Sequence, residues 1–187
     1  MRAGIINLNS GNLLSMVSAF QKMGFETIIL NKPQADIDVL VMPGQGRFGF
    51  VASQLDNNNW RDFILDWVKR GRKLIGVCVG MQLLFDNSIE DKNAKGLGII
   101  SGSIEKLKHK KTPMVGWAHL DSADTFYNQQ YVYFVNSYGI AESQYCVASV
   151  NYGDKFCAIV RKDNVIGFQF HPEKSGDYGL EVLKKCL

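Results

Sequence analysis

The sequence predicts an α/β protein built on a mixed, mostly parallel sheet with helices on both faces. In the first half, short apolar runs alternate with amphipathic stretches, which is typical of parallel strands joined by helices. In the second half, strand-like segments follow one another without a long helical stripe, which favours an antiparallel extension. Hydrophobic residues make up 46% and charged residues 21% of the chain, as in ordinary folded proteins.

Four strands and two helices are predicted in the first half. The strands are the apolar segments 3–8, 26–30, 38–43 and 73–78. The first helix follows the turn NSGN, with Asn12 as its N-cap and Gly24 as its stop. The second helix covers residues 59–70, where five apolar side chains fall on one face, and Gly71 ends it.

Six further strand-like segments are predicted in the second half. They are residues 98–107, 114–120, 131–138, 145–152, 156–162 and 165–172. We expect them to extend the same sheet, and we expect a last helix from about Gly176 to Cys186 to close the chain. The basic cluster at residues 106–111 is more typical of a solvated loop than of a nucleic-acid patch.

Length, cysteine usage and net charge limit the classes of protein to which the chain can belong. At roughly 150 residues per domain, 187 residues predict one domain, large enough to fold without a disulfide or a metal. The four cysteines form no CxxC pair, no apolar run reaches membrane-spanning length, and no signal-peptide pattern opens the chain. We therefore expect reduced thiols, a cytoplasmic location and no membrane contact. The net charge of +3 does not imply nucleic acid.

The segment GVCVG at residues 76–80 carries the first candidate catalytic residue, Cys78. An apolar strand runs here into a helical start, and a glycine lies two residues to either side of the cysteine. This pattern resembles a nucleophile elbow, a strained turn that exposes the nucleophile and needs glycines to avoid collisions. The backbone N–H of Val79 would then point toward an oxyanion. A buried structural cysteine among close-packed glycines explains the same residues equally well.

His171 is the second candidate, because it ends an apolar strand at the edge where open α/β sheets collect ligands. Pro172 and Glu173 follow it. If the chain stays extended through the proline, His171 and Glu173 point to the same side, and the carboxylate orients the imidazole. An HPE motif alone favours a strand-end histidine beside a surface glutamate. Together with the cysteine elbow, it favours a Cys–His–Glu arrangement.

The turn PGQG at residues 43–46 breaks the third strand and is a candidate for the second half of an oxyanion hole, opposite Val79. A flexible loop fits the same residues, and that alternative stays open. The phosphate-binding patterns GxGxxG and GxxxxGK[ST] do not occur, and no further Cys or His lies at zinc-ligand spacing. We therefore expect neither a metal nor a cofactor.

These motifs resemble the class I, or triad, glutamine amidotransferases, and within them the glutaminase subunits of imidazole glycerol phosphate synthase. The matching segments are SGNLLS, MPGQG, GVCVGMQLLF, KGLGIISG, PMVGW, YFVNSY and GFQFHPEKSG. GxCxGxQ with a distant HPE marks the superfamily, whereas PMVGW, YFVNSY and HPEKS narrow it to this subunit. The resemblance implies a flavodoxin-like class I glutaminase fold, with residues 1–187 as one glutamine amidotransferase type 1 domain.

The resemblance also implies an activity, the hydrolysis of glutamine to glutamate and ammonia through a glutamyl thioester. Cys78 would be the nucleophile, His171 the base and acid, and Glu173 the residue that orients the imidazole. The other residues it implies are Gly44, Gln82, Ser137 and Tyr138 for substrate binding, Gln45 and Val79 for the oxyanion, and Asn12 and Trp117 for a partner interface.

The partner implied by the resemblance is a separate (β/α)8-barrel cyclase, or synthase, subunit that forms a heterodimer with this chain. It would receive ammonia and make imidazole glycerol phosphate and an aminoimidazole carboxamide nucleotide in histidine biosynthesis. Free ammonia becomes ammonium in water and loses its nucleophilicity, so a sealed route between the subunits is useful. Docking of the cyclase would also order the PGQG turn.

The chain departs from the family pattern in several loops. The first loop reads NLNSGN instead of DYGxGN, PGVG becomes PGQG through Gln45, GWN ends in Ala118, and HSY begins with Asn136. Several of these positions face the synthase in the family, so glutamine hydrolysis is better supported than the acceptor. One alternative is a paralogous glutaminase that feeds an N-sugar amidotransferase of surface-glycan biosynthesis, which makes acetamidino sugars. Another, of a different class, is a non-enzymatic redox or chaperone-type protein with an elbow cysteine.

Overall fold

The structure, a computed structural model, describes residues 1–11 and 13–187. The strands are β1 (Arg2–Ile6), β2 (Glu26–Leu30), β3 (Val39–Gly44), β4 (Lys73–Cys78), β5 (Asn87–Ser88), β6 (Ser103–Lys106), β7 (Met114–His119), β8 (Tyr131–Asn136), β9 (Tyr138–Gly139), β10 (Cys146–Tyr152), β11 (Asp154–Lys162) and β12 (Val165–Phe168). The helices are α1 (Leu14–Lys22), α2 (Phe48–Asn57), α3 (Trp60–Lys69), α4 (Val79–Gln82) and α5 (Gly176–Lys185), with a 3₁₀ turn at Pro172–Lys174. Among these described helices, none is long and apolar enough to cross a bilayer.

Seven strands form the central sheet, in the order β10-β11-β12-β4-β3-β1-β2. The five strands from β12 to β2 run parallel, and β11 and β10 add an antiparallel extension. This arrangement confirms the predicted mixed α/β sheet. Gly44 at the end of β3 lies opposite Cys78 at the end of β4, so the two ends meet at one edge of the sheet.

The middle of the sheet is buried on both faces. Nearly every residue of β3, β4 and β12 is buried, which is the pattern of parallel strands covered by helices on either side. The helices supply large apolar side chains to this core, including Phe20, Phe48, Trp60 and Trp67. The buried sheet therefore holds the carboxyl ends of β3 and β4 in fixed positions.

The four strands and two helices predicted in the first half are observed, with small differences at their ends. Helix α1 ends before Gly24, whose φ of +87° is the left-handed conformation expected after a helix. Its N-cap position is Leu13, and Asn12, predicted to be the cap, lies outside the described residues. Strand β3 does not break at Pro43. It pairs with β4 through Gly44, whereas its pairing with β1 ends at Val41, so the missing N–H of the proline interrupts no ladder.

Two helical features differ from the prediction. Helix α2 was not predicted, although its buried residues Phe48, Val51, Ala52 and Leu55 fall at helical spacing. Helix α4 forms at the predicted helical start after Cys78 but is only a single turn, which ends at Gln82.

The strands of the second half are divided among three sheets instead of joining one extended sheet. Strands β10, β11 and β12 join the central sheet as predicted, but β7 and β8 pair with each other in a separate two-stranded ribbon. Strands β5, β6 and β9 form a third, small sheet. The expectation that all these segments extend one sheet is therefore wrong for β6 to β9, because alternation of side chains predicts a strand without specifying its partner.

Candidate active site

Cys78 lies on a strained turn between β4 and α4. Its φ of +55° and ψ of −114° fall outside the regions that side chains normally allow, and the residue is 5% exposed. A Cβ atom on Gly76 would lie 2.7 Å from the carbonyl oxygen of Gly80, and one on Gly80 would lie 1.8 Å from that of Met42. Both glycines of GVCVG are therefore required by close backbone packing at the elbow.

His171 and Glu173 form a buried pair. The imidazole Nδ1 lies 2.8 Å from the carboxylate Oε1, and the two side chains are 3% and 5% exposed. The expectation that the chain stays extended through Pro172 is wrong. The chain turns there into the 3₁₀ helix, and this turn brings the two side chains together. The N–H of His171 donates to the carbonyl oxygen of Tyr133 (2.9 Å), which ties the pair to the β7–β8 ribbon.

The charge state of His171 depends on its neighbours. Burial lowers the pKa of the imidazole, but its interactions with Cys78 and Glu173 raise that pKa by more, to about 10. The contacts with Cys78 and Glu173 therefore favour the protonated ring. A positive ring beside Cys78 stabilises negative charge on the sulfur.

A cavity of about 350 Å³ contains the elbow and the histidine. The predicted site residues that line it are Gln45, Cys78, Val79, Gln82, Ser137, Tyr138 and His171. Glu173 lies outside its lining and reaches it through His171. Gly44 lies under the elbow, where a Cβ would come 3.0 Å from the backbone nitrogen of Gly80. Trp117 is 55% exposed outside the cavity, and Asn12 lies outside the described residues.

Sequence reasoning missed several residues of the site, among them Glu90, Pro113, Val135 and Lys174 on the cavity wall and Gln169, which contacts Gln82. The thiol of Cys78 lies 3.7 Å from the carbonyl oxygen of Val135, to which it donates. This contact uses backbone, so the sequence carries no signal for it. Gln169 accepts a hydrogen bond from Gln82 (3.1 Å), and its only signal was a polar residue in the apolar run VIGFQF.

The turn after β3 lies on the cavity wall together with Val79. Gln45 and Gly46 both line the cavity, and Gly46 adopts a φ of +97° that favours glycine. The side chain of Gln45 packs against Gly11, so this turn contacts the first loop of the chain. Among the residues the structure describes, no three His, Cys, Asp or Glu side chains cluster as metal ligands.

A larger cavity, of about 980 Å³, lies beside β10 and β11 and includes Cys146 and Cys157. None of the residues that line it belongs to the Cys78 site. We place the chemistry in the smaller cavity, because it combines the strained cysteine with the paired histidine.

An elbow cysteine beside a His–Glu pair at the edge of a parallel sheet is an arrangement suited to acyl transfer by a cysteine nucleophile. Residues 5–187 match the family model of the class I glutamine amidotransferases, and the chain belongs to this family. Within the family, it is similar to subunit HisH of imidazole glycerol phosphate synthase. It is 37% identical to the Thermotoga maritima protein over 100% of this chain and 96% of that one, and 39% identical to the Saccharolobus solfataricus protein over 98% of each.

A longer relative and two solved structures complete the comparison. The imidazole glycerol phosphate synthase hisHF of Emericella nidulans is 36% identical over 98% of this chain but 37% of its own length. A crystal structure of a glutamine amidotransferase superposes with a TM-score of 0.80 at 19% identity, over 97% of this chain and 95% of that one. The PurLQS structure from Thermotoga maritima gives 0.76 at 19% identity, over 99% and 96%. These structures support the fold.

Proposed function

We propose that this chain is the glutaminase subunit of imidazole glycerol phosphate synthase and hydrolyses glutamine to glutamate and ammonia. The observation that carries the proposal is the strained Cys78 in one cavity with a histidine whose ring is held by Glu173. Family membership and the HisH relatives support the reaction and the pathway.

The proposed reaction proceeds through a thioester. The sulfur of Cys78 attacks the carboxamide carbon of glutamine, and protonated His171 gives its proton to the departing nitrogen, so ammonia leaves and a glutamyl thioester remains. Neutral His171 then takes a proton from water, which attacks the thioester. The C–S bond breaks, and His171 keeps the proton taken from water, which restores the starting Cys78–His171 pair. Glutamate leaves after its new carboxylic acid has released its proton to solvent.

Backbone N–H groups stabilise the oxyanion in each step. Val79 is the first residue of α4, so its N–H has no partner inside the helix. We assign it as one donor and the N–H of Gln45 in the turn after β3 as the other. Gln82, Ser137 and Tyr138 bind the substrate, and Gly44 lets the turn lie close to the elbow.

The proposed partner is a (β/α)8-barrel cyclase that forms a heterodimer with this chain and uses the ammonia. The outer face of the β7–β8 ribbon exposes four apolar side chains, Val115, Trp117, Tyr131 and Val135. Such a face is suited to burial against another protein. The carbonyl oxygen of Val135 also contacts the Cys78 thiol, so the ribbon links this face to the nucleophile. The relative named hisHF supports a synthase partner.

Two further assignments belong to the proposal. We treat residues 1–187 as one glutamine amidotransferase domain. The cysteines at 78, 146, 157 and 186 are all free thiols, which fits a reducing compartment, and we propose the cytoplasm.

The proposal is tested by measuring ammonia release from glutamine with the purified chain alone, with a barrel cyclase, and with an N-sugar amidotransferase. We expect the cyclase to raise turnover at least tenfold and the amidotransferase to have no effect. Stimulation by the amidotransferase alone would assign the ammonia to sugar amidination instead. No release of ammonia under any of the three conditions would contradict the glutaminase assignment.

Replacing Trp117 with alanine is expected to weaken cyclase binding by at least about tenfold, because truncation of a central interface aromatic typically costs more than about 1.4 kcal/mol. Titration calorimetry with the cyclase measures the change. Leu65→Ala serves as the control, since Leu65 is an exposed apolar residue on α3. If Trp117→Ala and Leu65→Ala bound the cyclase with equal affinity, the ribbon would not be part of the interface.

Replacing Glu173 with glutamine is expected to lower kcat roughly 10²-fold to 10⁴-fold with little change in KM. The amide cannot stabilise the protonated ring, and it can hold the imidazole in the wrong tautomer. Glutamate formation in the presence of the cyclase measures the effect. An unchanged kcat in Glu173→Gln would show that Glu173 has only a structural role.

The same variant has a signature in stability. The pKa of His171 is raised from about 6.5 to about 10, so protonation of the imidazole stabilises the folded protein. This contribution to the free energy of unfolding is complete below pH ~6.5 and is lost as the pH rises through about 10. Loss of the Glu173 carboxylate brings this pKa down. We therefore expect the Tm of the wild type to fall more steeply than that of Glu173→Gln between pH 7 and pH 10.

A further inference from the structure

The orientation of the Gln82 side chain is fixed by two hydrogen bonds. Its amide nitrogen donates to the carbonyl oxygen of Tyr138 (3.0 Å) and to Oε1 of Gln169 (3.1 Å). A backbone carbonyl can only accept, so the atom of Gln82 that faces Tyr138 must be the nitrogen. The atom of Gln169 that faces this nitrogen must then be its oxygen.

This arrangement decides what Gln82 offers to the cavity. A primary amide has two N–H groups, and both of those of Gln82 are engaged. Its oxygen accepts no hydrogen bond from the residues the structure describes, and the side chain lines the same cavity as Cys78 and His171. Gln82 therefore presents an acceptor, which fits an N–H donor of a substrate.

Gln169 is an unusual residue for its position. It follows β12, its side chain is 0% exposed, and its backbone N–H donates to Ala158 (2.9 Å) in the neighbouring strand. Its amide nitrogen is buried without a hydrogen-bond partner among the described residues. A buried donor without a partner destabilises the fold, so an apolar side chain of the same size is favoured by stability alone. Gln82 is the polar contact that the Gln169 side chain makes.

We propose that Gln169 is a positioning residue, which holds the Gln82 amide with its oxygen toward the cavity so that this oxygen accepts an N–H of bound glutamine. This inference rests on the proposed glutaminase function and adds a residue to it. Gln169 does not line the cavity, so it acts on the substrate through Gln82. The interaction contributes to binding and not to the thioester chemistry at Cys78.

The test compares Gln169→Met, which keeps the length of the side chain and removes the acceptor, with Gln169→Glu, which keeps an oxygen in either protonation state. With the cyclase bound, we expect Gln169→Met to raise the KM for glutamine about fivefold to tenfold with kcat within twofold. Gln169→Glu should keep the KM within about threefold of the wild type. The Tm of Gln169→Met should stay close to that of the wild type, because the substitution removes the unpaired amide nitrogen of Gln169 but leaves one N–H of Gln82 without its acceptor.

A double-mutant cycle separates positioning from a general structural effect. In a Gln82→Ala background, Gln169→Met should change the KM no further. An unchanged KM for the single variant, a loss of kcat alone, or the same KM increase in the Gln82→Ala background would each overturn the inference. Calorimetric titration of glutamine into Cys78→Ala and Cys78→Ala/Gln169→Met gives the same comparison without turnover. Failure of the proposed function is distinct, since the wild type with cyclase would then release no ammonia.

Discussion

Cys78→Ala is expected to lower ammonia release from glutamine by about 10⁵-fold or more, to the background of the assay. The proposed reaction forms a bond to the sulfur, and the proton transfers by His171 serve the formation and hydrolysis of the thioester made there. Removing the nucleophile of such a unit costs about as much as removing all of it. Because alanine also has a side chain at φ +55°, the elbow strain is retained, and the fold and the cyclase affinity should be unchanged.

The matched control is Cys146→Ala, which removes a half-buried thiol on β10 outside the site cavity. Its turnover should stay within twofold of the wild type. The two variants also separate the glutaminase from a redox protein with an elbow cysteine, since only the glutaminase links Cys78 to ammonia. Turnover above about 1% of the wild type in Cys78→Ala would exclude the thioester mechanism.

The elbow was predictable because backbone packing dictates its sequence. Gly76 and Gly80 each lie so close to another carbonyl that no other residue fits, and a strained nucleophile needs such a turn. The strand before it is buried on both faces and therefore reads as a continuous apolar run. At the elbow the local sequence pattern and the fold agree, so the glycine pattern and the chemistry of a nucleophile both indicate Cys78.

The His171–Glu173 contact was predicted through an incorrect local geometry. Alternation in an extended strand places residues i and i+2 on one side, and the expectation relied on this rule. The actual 3₁₀ turn begins at Pro172, whose fixed φ suits the first position of a helical turn. The observed contact therefore does not come from strand alternation: His171 is the extended residue before the turn, and the turn brings Glu173 to its ring.

Contacts through backbone and between distant strands could not be predicted. The Val135 carbonyl that meets Cys78 belongs to a ribbon whose side-chain alternation does not reveal whether it joins the central sheet. Gln169 meets Gln82 across 87 positions of the chain, and only the packing of β12 against the elbow brings them together. Helix α2 is a different case, because its buried residues fall at helical spacing in the sequence. The glycines around Phe48 made that spacing hard to recognise.

Gly80→Ala is expected to destabilise the protein by at least ~3 kcal/mol or to prevent folding, the upper end of what overpacking a core costs. The added Cβ would lie 1.8 Å from the carbonyl oxygen of Met42 and 2.8 Å from its carbonyl carbon. These atoms belong to β3, which is paired with β4 in the middle of the sheet, so no side-chain rotation relieves the clash. Urea unfolding followed by circular dichroism measures the change.

Gly71→Ala is the control for loss of a glycine without a clash. Gly71 has a φ of +73° but open space around its Cβ position, so alanine there adds only the strain of a left-handed residue, about 1–2 kcal/mol. If Gly80→Ala were no less stable than Gly71→Ala, the elbow would not be closely packed against β3. A larger loss at Gly80 means that the same contact that excludes a side chain also holds the backbone of Cys78 in its strained conformation. The glycine is then part of what positions the nucleophile, although it has no side chain to take part in the chemistry.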